Sequence, residues 1–336
     1  MAVAAVPFPD ELPQGYEWFD DEPVFNPARH LALEKPKAIR FLTEFGYTAS
    51  EISAVASPVA VSSPFQVLST EGAAVLLQVA RRLKQHAVSC ERIENMVRGG
   101  CYRSRFLRDL CVDESLTDLM CHIYQTDVAP HTMPVHLGHM NFSPTDLSKA
   151  VDKWHHDTLP LDTVMMVTDP ATLDGGQFEY FVGTKHEMAE LAKQGKGPPS
   201  DRIEAPPFYG PGYAIALHGN MVVHRGAPLN SPGERISMVN GYVAMDTSGD
   251  DQHRHKDLTL VDDHNVLFAE WAKHAAWRAR SRLDRVLQEM PFSSDRHAVA
   301  AELADAIADV SKAVKEMSDD CEHSMHHYEK SDVDAR

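Results

Sequence analysis

The sequence predicts a mainly β fold, a sandwich or jelly roll, held between helical flanks. Three observations predict it. Four runs rich in β-formers lie between residues 163 and 243, turn signals punctuate them, and helical apolar spacing is confined to the chain before and after. The runs are 163–168, 178–182, 213–217 and 236–243. Asp174-Gly175-Gly176, Pro198-Pro199, Pro211-Gly212 and Ser231-Pro232-Gly233 separate or flank them. Many short strands between such turns are the pattern of a two-sheet core.

Residues 1–30 carry several prolines and aromatics with no period, and read as an irregular arm over the body. Ser69 or Thr70 caps a helix over 71–86, where Ala74, Leu77 and Val79-Ala80 give an apolar stripe. Gly99-Gly100 breaks the next segment, and 113–124 reads as a second short helix. Beyond 262 the chain turns helical again, over 266–289 and 297–317, with Pro291 between them. The whole chain reads as one domain. Its parts are an arm and helices over 1–130, a β core over 131–250, helices over 262–320 and a polar, disordered tail over 321–336.

The 336 residues are 43% apolar and 24% charged, ordinary for a globular protein. The net charge of −17 argues against a nucleic-acid backbone or an anionic membrane as the main partner. Five cysteines without CxxC pairing fit free thiols in a reducing compartment. No secretory leader and no membrane-length apolar run is legible, so the expected location is cytoplasmic. The oligomeric state is not legible.

The chemistry concentrates in Trp154-His155-His156-Asp157. On a strand, side chains alternate between faces, so His155 and Asp157 point one way and His156 the other. An imidazole and a carboxylate so spaced can close on one metal ion. Two histidines and a carboxylate leave coordination positions open, as non-heme iron(II) oxygenases require. His224, after the strand-like 219–223, is the expected second histidine. Eleven positions further on, Arg235 and Ser237 share a strand face. A guanidinium beside a hydroxyl suits a carboxylate.

The set His155-x-Asp157, Gly175-Gly176-x-Phe178-Glu179, His224 and Arg235-x-Ser237 resembles the iron(II)/2-oxoglutarate dioxygenases. The phytanoyl-hydroxylase-like and microbial secondary-metabolite branches are the most similar, and the resemblance covers about 130–246. It implies a double-stranded β-helix, the cupin-like jelly roll. It implies that His155, Asp157 and His224 bind Fe(II), and that Arg235 with Ser237 binds the distal carboxylate of 2-oxoglutarate. It further implies that O2 is consumed with release of succinate and CO2. Related halogenases carry a small residue at the carboxylate position, so Asp157 favours a hydroxylase-type outcome, with desaturation or cyclisation using the same ligands.

Other residues weigh less. Asn141, on a strand bordering the site, is expected to help hold the keto-acid. Asn220 shares the face of His224 by parity. In Tyr102-Arg103-Ser104-Arg105, Arg103 or Arg105 is the expected anchor for a substrate carboxylate, against the alternative of surface ion pairs. His156 reads as packing and His218 as structural. The spacing of His131, His136 and His139 suits no compact metal motif, and His323, His326 and His327 read as a solvated tail. The expected function is oxidation of a C–H bond in a small carboxylate-bearing metabolite, such as an amino acid. The alternatives are a cupin-type metal isomerase or lyase, or a non-catalytic 2-oxoglutarate- and metal-binding module.

Overall fold

A computed structural model of the chain describes residues 5–319 and 326–329. Its strands are β1 (Ile39–Phe41), β2 (Val59–Ser62), β3 (Phe65–Gln66), β4 (Met96–Val97), β5 (Val128–Pro130), β6 (His139–Phe142), β7 (Ala150–His155), β8 (Leu161–Met166), β9 (Phe178–Phe181), β10 (Ile203–Glu204), β11 (Tyr213–Leu217), β12 (His224–Pro228) and β13 (Ile236–Ala244). All pairings are antiparallel. The larger sheet runs β1-β2-β11-β8-β13-β6-β4, with β3 on β11 and β5 on β13. The smaller one runs β10-β9-β12-β7.

The four predicted runs all become strands, and the reason is burial. Each residue of β8 is buried, and β13 is buried at all but one position, so both are rich in apolar and β-branched residues around a few buried polar ones, Asp162 and Asn240 among them. Five strands precede residue 131 and join the larger sheet, outside the 131–250 span read for the β core. They are two to four residues long, too short to carry a period.

The helix Thr70–Leu83 starts at Ser69, whose Oγ accepts from Gly72 N at 3.0 Å. It buries Leu76, Val79, Ala80 and Leu83 against the larger sheet's core. Asp113 caps Glu114–Tyr124 in the same way. The long helix His264–Glu289 stands where the apolar spacing placed it. The next one breaks at Ile307 into Arg296–Ala306 and Ala308–Met317. The arm is irregular apart from the turn Pro27–His30, and Phe8, Tyr16, Phe19 and Phe25 pack on the core. No helix among the described residues is long and apolar enough to cross a membrane.

The reading of 321–336 as a disordered tail falls largely outside the described residues, Cys321 and His323 included. Residues 326–329 are described, and they dock rather than float. Tyr328 N donates to Trp154 O at 2.7 Å, and Trp154 N donates to Glu329 Oε1 at 3.1 Å. The expectation of a solvated His326 and His327 is therefore corrected: His326 sits against His156, and His327 lies 3.1 Å from Glu91.

Candidate active site

One cavity is lined from both sheets. β7, β9 and β12 contribute His155, Phe178 and His224; β6, β8 and β13 contribute His139, Asn141, Val164 and Ser237. His155 ends β7 and pairs across the ladder with His224, the first residue of β12. Their rings lie 4.2 Å apart between centroids. Asp157 follows the strand end, where its N–H donates to Gly219 O at 2.8 Å. That contact ties the loop after β7 to the loop before β12. Gly219 permits it, since a Cβ there would stand 2.2 Å from Asp162 Oδ2.

The three expected ligands converge. Asp157 Oδ1 is 3.2 Å from His155 Nε2, and Oδ2 is 3.4 Å from His224 Nε2. Their ligand atoms all fall within 4.8 Å of one another. Both rings present the right nitrogen. His155 Nδ1 lies 2.6 Å from Lys153 O and His224 Nδ1 3.0 Å from Val222 O. A carbonyl only accepts, so each Nδ1 carries a proton and each ring turns Nε2 to the centre, bare when a cation is bound there. Burial works against a charged Asp157, but the two imidazoles hold its carboxyl well below the usual range. The donor set fits a divalent cation, with room for other ligands on the cavity side.

Arg235 stands across the cavity. It is 2% exposed. Its Nε donates to Gly176 O at 2.6 Å and its Nη1 to Ser237 Oγ at 3.0 Å. Among the described residues no carboxylate forms an ion pair with it, and burial lowers its pKa to about 10. A buried guanidinium without a counter-ion is costly unless an anion joins it. The turn that joins His224 to Arg235 in sequence is no hairpin. β12 belongs to the smaller sheet and β13 to the larger, so the chain crosses between sheets on its way from His224 to Arg235.

Gly175 and Gly176, at φ +85° and +71°, form the turn expected of them. Glu179 turns to Arg225 at 2.7 Å rather than to the site, while Phe178 lies 5.6 Å from the His224 ring. Asn141 lines the cavity with its Oδ1 buried and unpartnered.

Three expected substrate contacts are corrected. Arg103 stacks on Tyr16 at 4.3 Å and Arg105 on Trp18 at 4.8 Å, and neither lines the cavity. They pin the N-terminal arm. Asn220 lies in a turn, not a strand, so the parity with His224 fails. Its Nδ2 donates to Asp157 O at 3.3 Å, and Lys185 Nζ donates to its Oδ1 at 3.1 Å. Asn220 thus supports the Asp157 backbone from behind.

The sequence did not single out Arg92, Asp152, Arg254 or Asp257, all of which line the cavity. Arg92 lies 3.0 Å from Asp152 Oδ1 and 3.7 Å from Asp157 Oδ1. Arg254 and Asp257 are three apart, a spacing that could have flagged an ion pair at a helix start. His139 lines the cavity too, whereas His131 gathers with His253, His274 and Asp251 in a second buried cluster. That cluster is consistent with a closed hydrogen-bond chain. Met133 N donates to His131 Nδ1 at 3.0 Å, which leaves the His131 proton on Nε2, 3.0 Å from His253 Nε2. His253 Nδ1 then donates to Asp251 Oδ1 at 2.6 Å.

No protein-family model and no curated protein matches this chain. Among solved structures, it is similar to the non-heme α-ketoglutarate-dependent epimerase SnoN from nogalamycin biosynthesis, at 16% identity and a TM-score of 0.42 over 59% of this chain and 81% of that one. EctD from S. alaskensis with 2-oxoglutarate and 5-hydroxyectoine matches at 16% identity and 0.39, over 72% and 88%. A non-heme monooxygenase, the ThoJ-Ni complex, matches at 12% and 0.41, over 80% and 98%. Likeness this shallow leaves the function to the site's own geometry.

Proposed function

We propose that this chain is an Fe(II)- and 2-oxoglutarate-dependent oxygenase of the double-stranded β-helix type, acting on a small molecule. His155, Asp157 and His224 hold the metal. Arg235 and Ser237 bind the distal carboxylate of the keto-acid, and Asn141 supports its other end. The observation that carries this reading is Arg235: a buried guanidinium lacking a counter-ion, facing a two-histidine, one-carboxylate set across one cavity. A metal isomerase or lyase that takes no keto-acid would need another anion to meet that guanidinium.

Bound in the site, ferrous iron with 2-oxoglutarate and O2 supplies oxidation of a C–H bond, coupled to loss of CO2 and formation of succinate. The chain's own residues select and orient. Lys153 and Val222 carbonyls keep Nε2 of each histidine bare for the cation. Gly176 O and Ser237 Oγ hold the Arg235 fork in one plane, so that its remaining N–H groups meet a carboxylate in fixed geometry. Val164, Phe178 and Val239 keep water from the space between.

The reading is tested by anaerobic titration of 2-oxoglutarate into the Fe(II)-loaded protein, followed by exposure to oxygen. Fe(II)-dependent binding with a new visible absorption band, then succinate, is expected. Binding of Fe(II) without any binding of 2-oxoglutarate would sink it.

A further inference from the structure

The cavity is lined by five guanidiniums, and four of them are already paired. Arg92 lies against Asp152, Arg98 against Asp262, Arg225 against Glu179 and Arg254 against Asp257. Arg235 alone lacks a carboxylate among the described residues, and the keto-acid claims it. No unbalanced positive charge remains for a substrate that carries net negative charge. An extra buried anion would have to be desolvated against walls that are electrically neutral.

One of the four pairs lines the cavity with both members, stands clear of Asp157 and leaves hydrogen-bonding edges open. Arg98 commits Nε and Nη2 to Asp262 and also contacts His136 Nδ1 through Nη2. Arg225 uses Nε alone, on Glu179, which does not line the cavity, and its guanidinium stacks on Trp154 at 4.8 Å. Arg92 is buried between Asp152 and Asp157. Arg254, like Arg225, uses only Nε, on Asp257 Oδ2 at 2.5 Å, but here the carboxylate lines the cavity as well. Among the described residues, neither its two Nη groups nor Asp257 Oδ1 has a hydrogen-bond partner. The turn at His255–Leu258 sets both side chains on the cavity, 29% and 7% exposed. A donor fork and a carboxylate oxygen therefore stand side by side, jointly neutral.

We propose that Arg254 and Asp257 form the substrate-recognition pair of this site, and that the substrate is a zwitterion of the α-amino-acid type. Its carboxylate meets the Arg254 Nη groups, and its ammonium meets Asp257 Oδ1. Such a ligand satisfies both open edges without changing the charge of the cavity. A simple acid leaves the Asp257 oxygen facing a like charge, and a simple amine leaves the Arg254 fork unmet. The assignment rests on the oxygenase reading above, which supplies the metal and claims Arg235.

The test is calorimetry on the full chain loaded with Fe(II) and 2-oxoglutarate without oxygen. The probes are the α-amino acids, each with its deaminated acid and its decarboxylated amine. At least one amino acid is expected to bind, with about a tenfold loss or more when either charged group is removed. Arg254→Met should then bind that amino acid and its amine alike, whereas Asp257→Asn should bind the amino acid and its acid alike. A pair with a purely structural role would weaken binding without exchanging these preferences. Tighter binding of the acid than of the zwitterion, unchanged preferences in both variants, or no binding by any amino acid where 2-oxoglutarate binds would each overturn the proposal. Failure of 2-oxoglutarate itself to bind falls instead on the oxygenase reading. The same panel on the Fe(II)-loaded protein alone then decides the zwitterion.

Discussion

Gly176 gives Arg235 both a hydrogen-bond acceptor and the space to reach it. Its carbonyl accepts from Arg235 Nε at 2.6 Å, and a Cβ at the same position would stand 3.0 Å from Arg235 Cδ and 2.9 Å from Leu229 Cδ2. The backbone there has φ +71°, which L side chains rarely adopt.

Gly176→Ala should therefore act on the guanidinium rather than on the metal. Strain of about 1–2 kcal/mol is expected from the left-handed backbone and the close contact. Displacement of Arg235 should raise the 2-oxoglutarate dissociation constant about tenfold. Parallel titrations with metal and keto-acid check this. Loss of metal binding at unchanged keto-acid affinity would contradict the placement.

Arg235→Met tests the anchor directly. Truncating one partner of a buried, hydrogen-bonded charge pair costs about 2–5 kcal/mol, so 2-oxoglutarate should bind at least about 30-fold more weakly. The folded protein itself should not suffer, because the variant removes a buried charge that lacks a counter-ion. A thermal melt at or above that of the parent, together with the lost affinity, is the expected pair of results. A lowered melt with normal keto-acid binding would make Arg235 structural.

His224→Ala removes one of the three proposed ligands, the one that β12 contributes. Loss of groups that merely orient a ligand costs about 10–100-fold in metal affinity, so loss of the ligand itself should cost more. Metal content after purification and an Fe(II) titration give the measurement. His156→Ala is the control: His156 turns outward to Tyr328 Oη at 2.7 Å and His326 at 3.1 Å, and its loss should leave metal binding intact.

How much of this was legible in the sequence follows from how each residue is placed. His155, His224 and Ser237 sit on strands, where a period of two fixes the side-chain direction, while Asp157 and Arg235 lie just beyond a strand end, and all five line one cavity. Asn220 broke the same rule because 218–222 folds as a turn, with Met221 N and Val222 N both donating to His218 O. Arg103 and Arg105 were misread because a basic, aromatic cluster looks alike whether it binds a ligand or an arm; their partners, Tyr16 and Trp18, lie more than eighty residues away. Arg92, Arg254 and Asp257 come from irregular segments or a single helical turn, and only tertiary packing brings them to the cavity. The polar composition of the C-terminus did not disclose that Tyr328 would dock on Trp154.

Glu270 predicts a pH dependence of stability. It is buried within the helix His264–Glu289, with Tyr102 Oη 2.6 Å from Oε1 and Val135 N donating to Oε2 at 3.1 Å. Burial raises its pKa from 4.5 to about 8. The folded chain thus holds a proton that the unfolded chain gives up near 4.5. The resulting stabilisation is fully present below pH 4.5 and is lost as pH rises to about 8. At ~1.36 kcal/mol per pH unit the loss approaches about 4 kcal/mol. Glu270→Gln mimics the protonated form, keeping an acceptor for Val135 and offering a donor to Tyr102. Denaturant midpoints should agree between parent and variant near pH 4.5 and separate progressively to pH 8, with the variant the more stable. Curves that stay parallel over that range would show that Glu270 is already ionised in the fold, with Tyr102 and Val135 stabilising the charge.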